Sequence, residues 1–156
     1  MTGHPMTAGE RRFEAQEHRD LALGLTHIEE LIGVAPDLPS DALWARLHGT
    51  LRWLDLDVRP HMAWEDRWLY PQIDVAAGTP WATRSARAEH RQIESMIATL
   101  ETDSERWLGH ATPATRAEIL QHLGAIRVVM ATHVEREERL LLPLLEDQTE
   151  RTAWPR

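Results

Sequence analysis

Apolar residues return every three or four positions along four long stretches of the chain, the rhythm of one face of an α-helix. The first stretch, about 9–33, has His18, Leu21, Leu25, Ile28 and Ile32 on its seam. The second, about 41–75, has Leu47, Leu51, Leu54, Val58, His61, Glu65, Trp68 and Gln72. The third, about 81–108, has His90, Ile93, Ile97 and Leu100, and the fourth, about 113–147, has Ile119, Leu123, Ile126, Met130, His133, Glu137, Leu140 and Leu144. These stretches predict helices A to D of an all-α chain, with no convincing strand. Between them lie breaks with turn chemistry: Pro36 and Pro39, followed by Ser40 or Asp41 as a cap; Gly78; and Thr112 as a cap before Pro113. Pro60 falls inside helix B, where it removes one backbone bond and clashes one turn back, so a kink is expected just before His61. Pro71 is expected to bend or end the helix soon after. Long helices with short connections predict an antiparallel up-down-up-down four-helix bundle.

The seams of helices B and D are one pattern displaced by 72 residues. His61 to Pro71 and His133 to Pro143 both read His-x-x-x-Glu-acid-Arg-x-Leu-x-Pro. Glu17-His18-Arg19 and Glu89-His90-Arg91 obey the same offset. This echo divides a single domain, 1–156, into halves of about 10–77 and 81–147 related by a pseudo-two-fold axis.

Polar residues on the apolar seams carry the candidate chemistry. Positions i and i+4 of a helix share a face, so His61/Glu65 and His133/Glu137 each aim an imidazole and a carboxylate into one space. His18 and His90 add one imidazole each. Ionised glutamates facing a core are costly unless a cation compensates them. Two divalent cations would remove both that cost and the repulsion between Glu65 and Glu137, which become natural bridging ligands. Imidazole and carboxylate ligation without sulfur suits iron, manganese or zinc, with water, oxo or a small exogenous ligand in the open positions. Glu94, four after His90, extends helix C with the same His-x-x-x-Glu spacing; its counterpart in helix A is Ala22, so one metal would gain a ligand that the other lacks. The alternatives for Glu94 are a position just outside the ligands or a surface charge pair. A lone His on an apolar seam is ordinarily a core residue, but four on four helices with paired acids are not explained that way. His4, His27, His48, His110 and His122 fall off the seams, in loops or too far along, and are read as non-ligands. Glu17, Glu89, Asp66 and Glu138 are placed either to orient imidazoles or to face solvent, with Arg67 and Arg139 as partners.

Composition narrows the function classes. The formal net charge is −8 and every basic residue is Arg, which argues against nucleic acid and suits a protein that holds cations. The absence of cysteine excludes disulfides, thiolate sites and thiol catalysis. The start of the chain has no apolar core of a signal peptide, and no stretch is long and apolar enough for a membrane span; a cytoplasmic location is expected. Oligomeric state is not legible. Seven Trp against one Phe and one Tyr are read as a Trp-filled core, with a shielding role for Trp64 and Trp68 beside the metals as the alternative.

These motifs resemble the hemerythrin family, specifically the hemerythrin-like HHE cation-binding domain, over about 10–147. The residues that carry the resemblance are His18, His61-x-x-x-Glu65, His90 and His133-x-x-x-Glu137, the two pairs followed by Leu-Tyr-Pro and Leu-Leu-Pro. It implies a non-heme centre of two iron ions inside a four-helix bundle, bridged by Glu65 and Glu137. The invertebrate oxygen carriers of that family have a second His where this chain has Glu94, and an Asp five after the helix-D His. In both respects this chain is more similar to the bacterial hemerythrin-like proteins. For those, the resemblance implies chemistry with O2, peroxide or NO, catalase-like or oxidase turnover included, or sensing and iron handling. Two functions are therefore expected as rivals: a di-iron protein that reacts with oxygen or peroxide, and a binding protein that buffers or senses iron or oxygen. A ferritin-like oxidase would use Glu-x-x-His, a spacing the chain lacks. A haem protein would leave Glu65 and Glu137 buried without purpose.

Overall fold

Three prolines fall inside the predicted helices B and D, namely Pro60, Pro71 and Pro143, and the backbone widens just before each. The computed structural model describes residues 7–108 and 111–145, and every element in it is helical. Helix A is α1 (Ala8–Val34). Helix B is a continuous rod of α2 (Ser40–Trp53), a π-helical turn (Leu54–Val58), α3 (Arg59–Trp64), a second π turn (Glu65–Leu69) and α4 (Tyr70–Ala77). Helix C is α5 (Arg84–Trp107), and helix D is α6 (Pro113–Arg136) continued by a third π turn (Glu137–Leu141). The four rods form a helical bundle in which α1 packs on α2 and α6, and α5 on α6. No described helix is long and apolar enough to cross a membrane. His4, His110, the first residues of the chain and the predicted end of helix D at Asp147 lie outside the described residues.

The helix ends follow their local chemistry. Thr7 and Glu10 form a reciprocal capping box at the start of α1, with Thr7 N–H donating to Glu10 Oε2 at 2.6 Å and Glu10 N–H to Thr7 Oγ1 at 3.2 Å. Thr112 accepts from Thr115 N–H at 3.1 Å ahead of Pro113. Ser40 and Asp41 do not cap helix B; Pro39 holds the cap position, with no side-chain cap bond. Gly78, in the left-handed region at φ 69°, closes α4.

At each proline the expected disturbance takes the form of a π turn. Each π turn ends two residues before a proline: Val58 before Pro60, Leu69 before Pro71, Leu141 before Pro143. The residue just before each proline donates five residues back: Arg59 to Leu54, Tyr70 to Glu65, Leu142 to Glu137. The proline cannot donate to the carbonyl four residues earlier. A locally wider turn rearranges the bonds around that gap, and helix B continues without interruption through Pro71 to Ala77.

A wider turn also rotates whatever follows it. The uninterrupted rhythm puts Trp68 and Leu140 on the seams, but Trp68 is 54% and Leu140 62% exposed. Their successors Leu69 and Leu141 are the buried ones, together with Tyr70 and Ile73. One extra residue per turn accounts for the shift.

Aliphatic side chains, not indoles, dominate the core. The larger cluster contains Leu21, Ile28, Leu54, Val58, Ile93, Ile97, Ile126 and Met130; the smaller contains Leu69, Tyr70, Ile73, Ala86 and Leu141. Each fully buried Leu or Ile contributes roughly 1.5–3 kcal/mol. Of the described tryptophans only Trp44 and Trp107 are buried, while Trp68 and Trp81 are exposed beneath Arg67 and Arg84 guanidiniums. Trp53 lies on helix A only because Gly24 has no side chain: a Cβ there would come within 2.1 Å of its indole. Along helices B, C and D the two apolar clusters stop at one polar layer: His61 and Glu65, His90, and His133 and Glu137.

Candidate metal centre

All four rods contribute to that layer, and every member is at least nine-tenths buried. Glu14, His18, His61, Glu65 and Glu137 form one group of converging donor atoms; Glu65, His90, His133 and Glu137 form the second. Within each group the atoms lie within 4.8 Å of one another. The six expected residues His18, His61, Glu65, His90, His133 and Glu137 are thus brought together, and Glu65 and Glu137 belong to both groups.

Glu65 faces both groups, one oxygen to each. Its Oε1 lies 3.0 Å from His61 Nε2 and 3.6 Å from His18 Nε2, whereas its Oε2 lies 3.1 Å from His90 Nε2 and 4.0 Å from His133 Nε2. Glu137 presents one oxygen to both sides, with Oε2 at 3.4 Å from His18 Nε2 and from His133 Nε2. Its other oxygen accepts the Tyr70 hydroxyl. The imidazoles sit in edge-on pairs, His18 with His61 and His90 with His133, at ring separations of 5.4 and 4.6 Å.

The outward nitrogens of these rings face carboxylates. His18 Nδ1 is 3.3 Å from Glu138 and His90 Nδ1 is 3.3 Å from Asp66. His133 Nδ1 is 3.0 Å from Glu89, and His61 Nδ1 is 3.7 Å from Glu17. A carboxylate at Nδ1 fixes that proton and turns Nε2 inward as a lone pair. Arg136 pairs with Glu89, and Arg87 with Asp66. The expected partners Arg67 and Arg139 instead point outward, to Trp68 and Glu135.

Two contributors escaped the sequence reading. Glu14 is 1% exposed, with Oε1 2.9 Å from His18 Nε2. Its signal was present as Glu-x-x-x-His, the reverse of the order in helices B and D. Tyr70 is fully buried, and its hydroxyl lies 3.0 Å from His90 Nε2. It was hidden because the unbroken helical rhythm points its neighbours inward and only the π turn brings it round.

Glu94, expected as a further ligand, lies elsewhere. It belongs to neither group, and its side chain is 49% exposed. Arg59 holds it, with Nε at 3.1 and 3.0 Å from its two oxygens and Nη2 at 2.9 Å from Oε1. The same guanidinium also binds Asp55 and Glu101. The two groups are unequal: the first contains the additional carboxylate of Glu14, and Glu94 joins neither. His27 and His48 are exposed, and His122 pairs with Asp103 at 3.1 Å; none of the three joins the centre.

The protonation pattern shows what the layer demands. Burial favours neutral imidazole, yet Glu137, Glu14 and Glu65 outweigh it and push His18 up to about 12. Burial likewise opposes charge on His133, but Glu65 and Glu137 bring it to about 9, and Glu65 raises His61. Burial pushes Glu14 and Glu137 up, and the charge on Glu65 adds to it. For Glu65 itself burial acts the same way, but four surrounding imidazoles hold it well below the usual carboxylate range. The layer therefore gathers positive charge against three buried acids.

Hydrogen bonding leaves that demand unmet. Nine buried atoms here make no hydrogen bond: both oxygens of Glu14 and of Glu65, both ring nitrogens of His61, His18 Nε2, His90 Nδ1 and Glu137 Oε2. The two outward nitrogens aside, these atoms converge with one another in the two donor groups. A native interior rarely tolerates such a concentration of unsatisfied groups. A cation at each point of convergence would take up the inward-facing atoms, leaving His61 Nδ1 and His90 Nδ1 to face Glu17 and Asp66, and the nitrogen and oxygen donors fit iron, manganese or zinc.

Among known proteins, the family profile described as Hemerythrin HHE cation binding domain matches residues 12–145. No curated protein and no solved structure matches the chain. With the profile spanning nearly the whole chain, and the polar layer offering metal-binding donors where that profile lies, this protein belongs to the hemerythrin HHE cation-binding domain family.

Proposed function

We propose that the chain is a single-domain, non-heme di-iron protein that binds or reacts with O2, peroxide or NO. The observation that carries this reading is the convergence of four imidazoles and three carboxylates on two points, with nine of their buried atoms lacking hydrogen bonds. His18 and His61, joined by Glu14, would hold one iron; His90 and His133 would hold the other; Glu65 and Glu137 would bridge. Glu94 is left out of the set. The up-down-up-down order and the internal two-fold belong to the same proposal. They are supported by equivalent contacts displaced by 72 residues: His18–Glu138 matches His90–Asp66, and His61–Glu17 matches His133–Glu89.

When bound, iron supplies Lewis acidity and a one-electron couple at an open coordination position. The chain does the rest. Asp66, Glu89 and Glu138 keep the imidazole protons outside and the lone pairs inside. Tyr70 holds a proton between Glu137 Oε1 and His90 Nε2, where an O–H donor can serve a small ligand. Burial and the Glu65 and Glu137 charges push its phenol upward, which keeps that proton in place. Met62, Ile93 and Met130 on one side and Leu69, Ile73 and Leu141 on the other exclude bulk water.

The test is metal content together with the visible spectrum after anaerobic loading with iron and oxidation. Two irons per chain with near-ultraviolet absorption that shifts with azide are expected. A colourless protein that takes up no iron overturns the reading. On the loaded protein, rapid oxygen evolution from peroxide assigns turnover, whereas stopped-flow O2 binding without turnover assigns carriage, buffering or sensing.

A further inference from the structure

Among the described residues a cavity touches the centre at His90. It opens between helices B and C, has a volume of about 320 Å³, and is lined by Arg59, Met62, Ala63, Asp66, His90 and Glu94, among others. His90 and Met62 are buried, so they form its inner wall; Ala63 and Glu94 are exposed at its mouth. The cavity lined by Gly24, His27 and Trp53, and the one lined by Ser95, Gln121 and Ala125, touch no member of the two donor groups.

Three features make this opening specific to one half of the molecule. The residue 72 positions after Ala63 is Glu135, so the methyl group that leaves space here is replaced there by a long side chain engaged by Arg139. The counterparts of Arg59 and Glu94 are Ala131 and Ala22, so the clamp that frames the mouth is not repeated. The cavity also leads to the less crowded group: His90 belongs to the set of four donors, whereas His18 and His61 belong to the set of five. An exogenous ligand needs an open position, and the poorer donor set provides it. Tyr70 stands at that same group with a hydroxyl 3.0 Å from His90 Nε2.

From this geometry we infer that the cavity between helices B and C is the port by which molecules of a few atoms, neutral or singly anionic, reach the His90/His133 side of the centre. Arg59 frames the mouth. Its guanidinium ties Asp55 on helix B to Glu94 and Glu101 on helix C, which keeps the two helices in register and the mouth a fixed width. The tight inner wall of Met62 and His90 limits passage to small molecules. Ala63, with no side chain beyond Cβ, leaves the channel clear. This inference rests on the reading of the centre as a metal pair.

The test is stopped-flow binding of azide to the ferric, iron-loaded full chain in an Ala63→Val, Ala63→Leu and Ala63→Trp series. Ala63 is exposed, so larger residues fill the cavity and not the core. The association rate is expected to fall stepwise with side-chain size, by about tenfold for Trp, with iron content and resting spectrum unchanged. Ala125→Trp, in a cavity remote from the centre, is the control and should bind azide at the wild-type rate. Unslowed binding across the loaded series, or equal slowing in the control, overturns the port. Should the Trp variant load less iron, the Val and Leu variants decide by the same criterion. A wild-type chain that loads no iron overturns the metal reading itself, an outcome distinguishable from loss of the port alone.

Discussion

Tyr70 donates its phenolic proton to Glu137, from helix B to helix D, and the same oxygen stands 3.0 Å from His90 on helix C. One side chain thus ties three rods together at the centre. Among the described residues it is the one donor to Glu137 Oε1, in a layer where most other acid oxygens have none. Tyr70→Phe leaves the ring in place and removes that donor. The metal-free variant should lose about 2 kcal/mol in chemical denaturation, the range for an unpaired buried partner of a charged group. Wild-type stability in the variant would show that the bond contributes nothing.

Glu14 and Glu94 make opposite predictions. Glu14→Gln keeps shape but removes a buried anion beside His18, and should weaken iron binding by about tenfold or more in a chelator competition. Glu94→Gln breaks only a partly exposed pair with Arg59, and should leave affinity within about twofold while costing at most about 1 kcal/mol. The reverse ranking would return Glu94 to the ligand set.

The rotation imposed by the π turns is measurable as stability. Leu69→Ala removes a fully buried side chain and should cost about 2–5 kcal/mol. Trp68→Ala, one residue earlier and 54% exposed, should change stability by about 0.5 kcal/mol or less. Leu141→Ala and Leu140→Ala should repeat the contrast. An unbroken α-helix through Glu65 would give the opposite order, and urea titration distinguishes the two.

The pH dependence of the metal-free protein follows from the raised groups. His133 titrates near 9 when folded against an ordinary 6.5, so its contribution is fully present below 6.5 and is lost as pH rises through 9. His18, raised to about 12, and Glu14 and Glu137, also raised, act in the same direction. Glu65 is lowered and acts oppositely, contributing above its ordinary 4.5 and losing that contribution only in acid. The melting temperature of chelator-treated protein should therefore fall between pH 6.5 and 9. Iron-loaded protein should not fall with it, because metal replaces the protons and binds more tightly as they leave. A metal-free melting temperature that is flat or rises over that range would contradict these assignments.

The all-helical fold and the convergence of six of the seven candidate residues were legible in the chain because a helix maps sequence spacing directly onto a face. His61 with Glu65 and His133 with Glu137 need only the i,i+4 rule to share a space, and the 72-residue echo marks His18 and His90 as their companions. Spacing alone cannot say where a face turns once the helix changes pitch. Pro60, Pro71 and Pro143 are visible in the sequence, but whether each yields a kink, an end or a π turn depends on what the neighbouring rods will pack. That choice took Trp68 and Leu140 out to solvent and brought Tyr70 in. Nor could spacing decide between Glu14 and Glu94. Both stand one turn from a seam histidine, but Glu94 has Arg59 within reach across the helix B–C interface, whereas Glu14 faces the buried imidazoles. The sequence by itself determined which helix faces carry donors; the tertiary structure decided which acids reach the centre, because that depends on competing partners supplied by other helices.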